Sequence, residues 1–266
     1  EVRISSPGSH IVLAIAPDGD LAAEVFFLRA LAGKQLPAPR LIAYDLACTL
    51  VPFTYALEGY TGGAPLDRLP DGPLMRVAAR QVGRTLRRAH QIAAPGFGRP
   101  TTTGRWPTRT WSEALAGWLA RREMSTRAAD ALGGDMLAAL QAATLDHQAL
   151  VCDRPCVIHG AVGPSRALVT VGDSAQLEAL VCPGEIAGGD PLFDLAHGLL
   201  PRHPASFRQG LIEGYSAAGA LAPEQEDRLR RLRLLLHVAD TLWRDNADGA
   251  ARLLREVADL LQTLET

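Results

Sequence analysis

The stretch YTGGAPLDRLPDG, residues 60–72, divides the chain more sharply than any other. Gly62, Gly63, Pro65, Pro70 and Gly72 interrupt both the strand period and the helix period, so no long regular element runs through it. Upstream the apolar runs are short and β-like: EVRIS and HIVLAIA flank SPGS, and LIAYDLA and FTYALEGY follow Pro37 and Pro39. One helix interrupts them, LAAEVFFLRALAG, with Leu21, Val25, Leu28 and Ala32 at helical spacing and Gly33 closing it. Downstream, PLMRVAARQVGRTLRRAHQIA and the segments Trp111 to Arg122, Met136 to Leu145, Glu224 to Asp245 and Gly249 to Leu264 read as helices. RALVTV and LEALVC form a β-like pair around GDSAQ. The pattern predicts a β-rich lobe over 1–60 and a mainly helical lobe over 61–266, an α/β (α+β) chain in two parts.

Composition narrows the partner. Apolar residues make up 47% and charged residues 21% of the chain, as in soluble globular proteins, and the net charge of −2 gives no drive toward nucleic acid or anionic membrane. A small molecule is the expected partner, with a protein partner as the second option. Cys48, Cys152, Cys156 and Cys182 form no CxxC pair, which predicts reduced thiols in a cytoplasmic protein and no zinc site. No apolar run approaches membrane-spanning length. The chain opens on Glu1 rather than Met, as expected where upstream residues have been trimmed.

The chemistry concentrates in VIHGAVGPSRALVTV, residues 157–171. With EVFFLRALAGKQLPAPRLIAYD, VGRTLRRAH and VCPGEIAGGDPLFDLA, it forms an ordered, spaced set that resembles the aminoglycoside phosphotransferase family, relatives of choline kinase. The resemblance spans most of the chain. It implies a two-lobed protein-kinase-like fold with a hinge near Leu57 to Tyr60, ATP in the cleft and an acceptor alcohol held by C-lobe helices. It also implies a strand cation on the phosphates, an aspartate after His-Gly that orients the hydroxyl, and an asparagine and second aspartate that hold magnesium.

At those four positions the chain carries Ala14, Ala161, Arg166 and Cys182, and the phosphate cover SSPGSH offers a single glycine. The only lysine, Lys34, lies beyond the following helix. The expectation is therefore lost ATP- and magnesium-dependent phosphotransfer, no metal and no cofactor. The cleft is then expected to serve cyclisation, isomerisation or dehydration of a small molecule. In that reading Arg166 clamps an oxyanion, Cys182 beside it is a nucleophile, and His159 and Glu185 move protons. Blander roles stand beside these: Arg166 paired to Glu185 or Asp190, Cys182 in the core, and His159 bracing its loop. Trp106 and Arg109, with Arg105, Trp111 and Trp118, are expected to form a ligand wall. Asp190 is placed on the ligand side, or with Asp194 as a brace and cap. Glu24, facing Ala14 instead of a lysine, is expected in solvent. Two further readings remain open: a non-catalytic pseudokinase and a residual small-molecule kinase.

Overall fold

The computed structural model describes residues 2–4, 10–16, 19–121, 124–244 and 250–265. Residues 5–9 of the expected phosphate cover lie outside this set, as do Arg122, Asp245 and Gly249 at the ends of expected helices.

Four strands, β1 (Val2–Ile4), β2 (Ile11–Ala16), β3 (Leu41–Asp45) and β4 (Thr54–Gly59), form one antiparallel sheet in the order β1-β2-β4-β3. Strand β4 alternates as a half-buried strand should, with Thr54, Ala56 and Glu58 inward. Ala14 of β2 sits opposite Ala56 of β4, and both are fully buried. These two methyl groups let Leu21 and Val25 close onto the sheet, at the start of helix α1 (Ala22–Ala32). The first turn of α1 is enclosed on all sides. Glu24, expected in solvent, is accordingly only 5% exposed.

The second region begins with β5 (Ala64–Pro65) and α2 (Pro73–Ala89). Helix α3 (Trp111–Ala120) starts at a capping box in which Thr110 and Glu113 satisfy each other's backbone N–H groups. Helices α4 (Met124–Leu132) and α5 (Gly134–Ala143) follow. Then come β6 (Cys156–Val157), the hairpin β7 (Ala167–Val171) and β8 (Ala175–Leu180), and β9 (Gly188–Gly189). Strands β5, β7 and β8 make one small sheet, and β6 and β9 pair separately. The chain ends in α6 (Pro191–Gly198), α7 (Ala205–Ser216), α8 (Pro223–Arg244) and α9 (Ala250–Glu265).

Helices α2 and α7 approach backbone to backbone. Added Cβ atoms at Gly83, Gly210 or Gly214 would collide with main-chain carbonyls of the facing helix, so bare backbone meets bare backbone there. Glu213 of α7 receives both Arg76 and Arg80 of α2. Phe193, Phe207, Trp111 and Tyr215 fill the core beside this pair.

The two regions meet through side chains and main chain. Phe27 of α1 stands edge-on to His159, with ring centroids 5.2 Å apart, and the Leu180 N–H donates to the Pro37 carbonyl at 3.0 Å. No helix among the described residues is long and apolar enough to cross a membrane.

Candidate functional site

The loop that leaves β6 is held from behind by one carboxylate. Asp194, fully buried in the first turn of α6, accepts from the His159 N–H and the Gly160 N–H, each at 2.7 Å. His90, capping the C-terminus of α2, donates through Nε2 to Asp194 at 3.0 Å, and its Nδ1 lies 3.0 Å from the Tyr215 hydroxyl. Gly160 turns through φ +75°, and a Cβ there would strike the Ile186 carbonyl, so the turn requires glycine. Burial pushes the Asp194 carboxyl up, but the His90 hydrogen bond and the attraction of His90 and His159 outweigh it. The net effect holds the carboxyl below the usual range.

The hairpin β7–β8 then brings Arg166 and Cys182 together, as the resemblance implied. Val181 N–H donates to the Arg166 carbonyl at 2.9 Å, and Arg166 Nη1 donates to the Cys182 carbonyl at 3.2 Å. The guanidinium thus meets a main-chain oxygen of Cys182. Cys182 itself holds a left-handed φ of +52°, uncommon for a residue with a side chain.

In front of the loop lies a cavity of about 420 Å³. Ala161, Gly163 and Arg166 form its loop side, with Glu185 next to them. The rest of the lining comes from Arg121 at the end of α3, Arg202 and His203 between α6 and α7, and Asp240 and Arg244 near the end of α8. Trp118 and Trp243 complete it. Of the residues singled out from sequence, Arg166, Glu185, Ala161 and Trp118 share this cavity. Glu185 accepts from Arg121 Nε at 2.9 Å.

The others lie elsewhere. His159 is 1% exposed, its Nε2 lies 3.2 Å from the Val181 carbonyl, and it does not line the cavity. Asp190 is fully buried, capping α6 through the Leu192 N–H at 2.8 Å and pairing with Arg228 at 2.9 Å. The expected tryptophan wall is split. Trp111 belongs to the core, Trp118 reaches the Arg166 cavity, and Trp106 packs edge-on to Phe26 beside a separate cavity of about 610 Å³ against α1. Arg109 is exposed and donates its backbone N–H to Glu113 at 3.0 Å. Arg121, Arg202, His203, Asp240 and Arg244 were not singled out from sequence. The only local signal is at Arg121 and Arg244, arginines at the C-termini of α3 and α8, which the helix dipole alone accounts for.

Burial lowers His159 to about 4, and burial together with the Arg202 charge lowers His203 to about 4. An unfolded histidine titrates near 6.5. The unfolded chain therefore binds more protons between these values, and stability complete above pH 6.5 is lost as pH falls toward 4. Urea unfolding should show a loss of about 3 kcal/mol per histidine across that window. Replacing His203 with Gln should remove part of it.

Among the described residues no cluster of three or more His, Cys, Asp or Glu side chains could hold a metal. Arg166 and Cys182 also form a poor donor set for a hard divalent cation, so the loop positions do not fit a protein-held magnesium ion.

The sequence model of the phosphotransferase enzyme family (APH) matches residues 1–235. No curated protein sequence matches the chain. Among solved structures, one similar chain is a thermostable aminoglycoside phosphotransferase APH(4)-Ia bearing an aspartate-to-alanine substitution, in ternary complex with ADP and hygromycin B. It is 19% identical, with a TM-score of 0.62 over 99% of this chain and 92% of that one. The microcompartment-associated aminopropanol kinase is 18% identical, with a TM-score of 0.63 over 97% and 86%. A choline/ethanolamine kinase family protein from Mesorhizobium loti is 17% identical, with a TM-score of 0.62 over 97% and 85%. The fold is protein-kinase-like: a small antiparallel N-terminal sheet followed by a mainly helical region.

These matches overturn the expectation of a pseudokinase-like or ATP-independent protein turned to cyclisation, isomerisation or dehydration. In a phosphotransferase family, residue identity at positions such as those of Ala14, Ala161, Arg166 and Cys182 bears on the rate of transfer. It does not set the class of reaction, because loose phosphoryl transfer depends mainly on positioning and charge stabilisation.

Proposed function

We propose, for a chain that belongs to the APH phosphotransferase enzyme family, that it transfers a phosphoryl group from ATP to a small-molecule alcohol held in the Arg166 cavity. The observation carrying this reading is the family match across residues 1–235. The loop braced by Asp194, opening onto a cavity of about 420 Å³, is consistent with it. In this reading the nucleotide lies between the β1–β4 sheet and the loop. The acceptor oxygen forms a bond to the γ-phosphorus, the bond to the β–γ bridging oxygen breaks, ADP leaves, and the hydroxyl proton passes to water.

Arg166 stabilises the charge on the moving phosphoryl group as a fixed cation, with one Nη held by the Cys182 carbonyl. Ala161 leaves the acceptor hydroxyl without a carboxylate to orient it. A positioned base contributes about 10²–10⁴ in rate, so a slow transferase is the consequence. That an aspartate-to-alanine variant of a similar fold holds ADP and hygromycin B supports binding that does not depend on every carboxylate.

The test is phosphorus NMR on the full chain incubated with magnesium-ATP and a panel of small alcohols. ADP should appear in step with a phosphorylated acceptor. Ala161→Asp should raise turnover about a hundredfold, the low end of what a positioned base supplies. Acceptor-independent ATP loss, or no gain from Ala161→Asp in a folded protein, contradicts the proposal.

A further inference from the structure

Resting on that reading, the charge of the cavity wall limits which alcohol can be the acceptor. We infer that it carries an oxyanion, a carboxylate or phosphate group, and that cationic alcohols are excluded. Four guanidinium groups line the cavity, those of Arg121, Arg166, Arg202 and Arg244, against the carboxylates of Glu185 and Asp240. Asp240 is shared: Arg202 Nε approaches one oxygen at 3.1 Å and Arg244 Nε the other at 3.0 Å. Both contacts use Nε, and among the described residues the Nη atoms of Arg202 and Arg244 have no hydrogen-bond partner. Arg166 donates to a neutral carbonyl, so no carboxylate among the described residues pairs with its charge.

The surplus is felt within the wall. Burial lowers the proton affinity of Arg202, Asp240 opposes this, and repulsion from Arg244 and Arg166 adds to the lowering. A cation entering the cavity would meet the same repulsion. An oxyanion would be met by planar donor pairs suited to bidentate contact. A second observation points the same way to a polar ligand. His203 lines the cavity, is 7% exposed, and has a buried Nε2 with no hydrogen-bond partner among the described residues. Kept neutral by burial, it can donate to or accept from a ligand oxygen. Trp243, 57% exposed, offers an apolar edge for the rest of the molecule.

Calorimetric titration of the full chain without nucleotide tests this with four probes of related size: glycerate, glycerol phosphate, glycerol and ethanolamine. Both anions should bind at least about tenfold more tightly than glycerol, with affinity falling as salt rises, and ethanolamine should not bind. The tighter anion identifies which oxyanion the wall fits. Arg244→Gln, at a half-exposed side chain, should weaken anion binding about tenfold, and Arg244→Lys should recover part of it. Equal or tighter binding of glycerol or ethanolamine overturns the inference, as does an Arg244→Gln effect below about twofold. Anion binding without transfer from ATP would sink the kinase reading and leave this inference standing. Transfer to ethanolamine with no preference for anions would do the reverse.

Discussion

Asp194→Ala should lower stability by about 3–5 kcal/mol, the range for removing one partner of a buried ionic pair. Three groups lose their acceptor at once: the N–H groups of His159 and Gly160, and His90 Nε2. All are enclosed, and a buried donor without an acceptor costs about 1–3 kcal/mol before relaxation. Asp194→Asn keeps the shape and one acceptor oxygen but turns an NH2 group toward a donor, so it should fall between Ala and the parent. Urea unfolding of the three proteins at neutral pH measures this. A loss under about 1 kcal/mol for Asp194→Ala would mean that the loop is held by something other than this carboxylate. The low carboxyl pKa adds a sign. Its contribution is present above the unfolded value near 3.9 and is lost as pH falls through the lower folded value, so the variant and the parent should converge in strong acid.

Gly214→Ala should cost about 3 kcal/mol, at the upper end of what overpacking usually costs. The added methyl would enter the main chain of Arg80, where neither helix has a flexible side chain to move aside. The helices must separate, and separation carries a second consequence. Tyr215, the next residue along α7, bonds His90, and His90 bonds Asp194, so displacement of α7 loosens the loop brace. Gly62→Ala is the control, since nothing lies within 4 Å of a Cβ there, and it should change stability by less than about 0.5 kcal/mol. Thermal unfolding of both variants, with proteolysis of the 157–171 loop as the second readout, separates a packing defect from a general loss of fold. If Gly214→Ala behaves like Gly62→Ala, the α2–α7 contact is looser than the backbone geometry requires.

Local order in the sequence carried most of the fold. Leu21, Val25 and Leu28 announce α1, and the alternation of Thr54, Ala56 and Glu58 gives β4 its inward face. Helix α7 escapes notice because two of its five buried positions, Gly210 and Gly214, are glycines, which read as interruptions in a sequence and as contact surface in the fold. Trp111 and Trp118 lie seven residues apart on one side of α3 and so turn toward the core, while Trp106, ahead of the Thr110 cap, goes to the other side.

The site was legible only where one hairpin builds it. Arg166 and Cys182 are adjacent because β7 and β8 pair, and the resemblance supplied that much. Arg121, Arg202 and Arg244 converge from the ends of different elements, and no spacing in a sequence records such a meeting. Ala14, Ala161, Arg166 and Cys182 depart from the family pattern at four single positions, whereas the family match extends over residues 1–235. Asp194, expected as a brace, preserves the loop's posture together with His90 and Gly160.

Asp194, Gly160 and His90 are not among the residues that line the cavity, whereas Arg121, Arg202, Arg244, Trp118 and Trp243 are. If the cavity holds the acceptor as proposed, a change of codon at the tip of α3 or α8 redraws preference among acceptors without touching these three anchors. Descent with altered taste is open to such a chain at little risk to folding, whereas drift at the three anchoring residues is not.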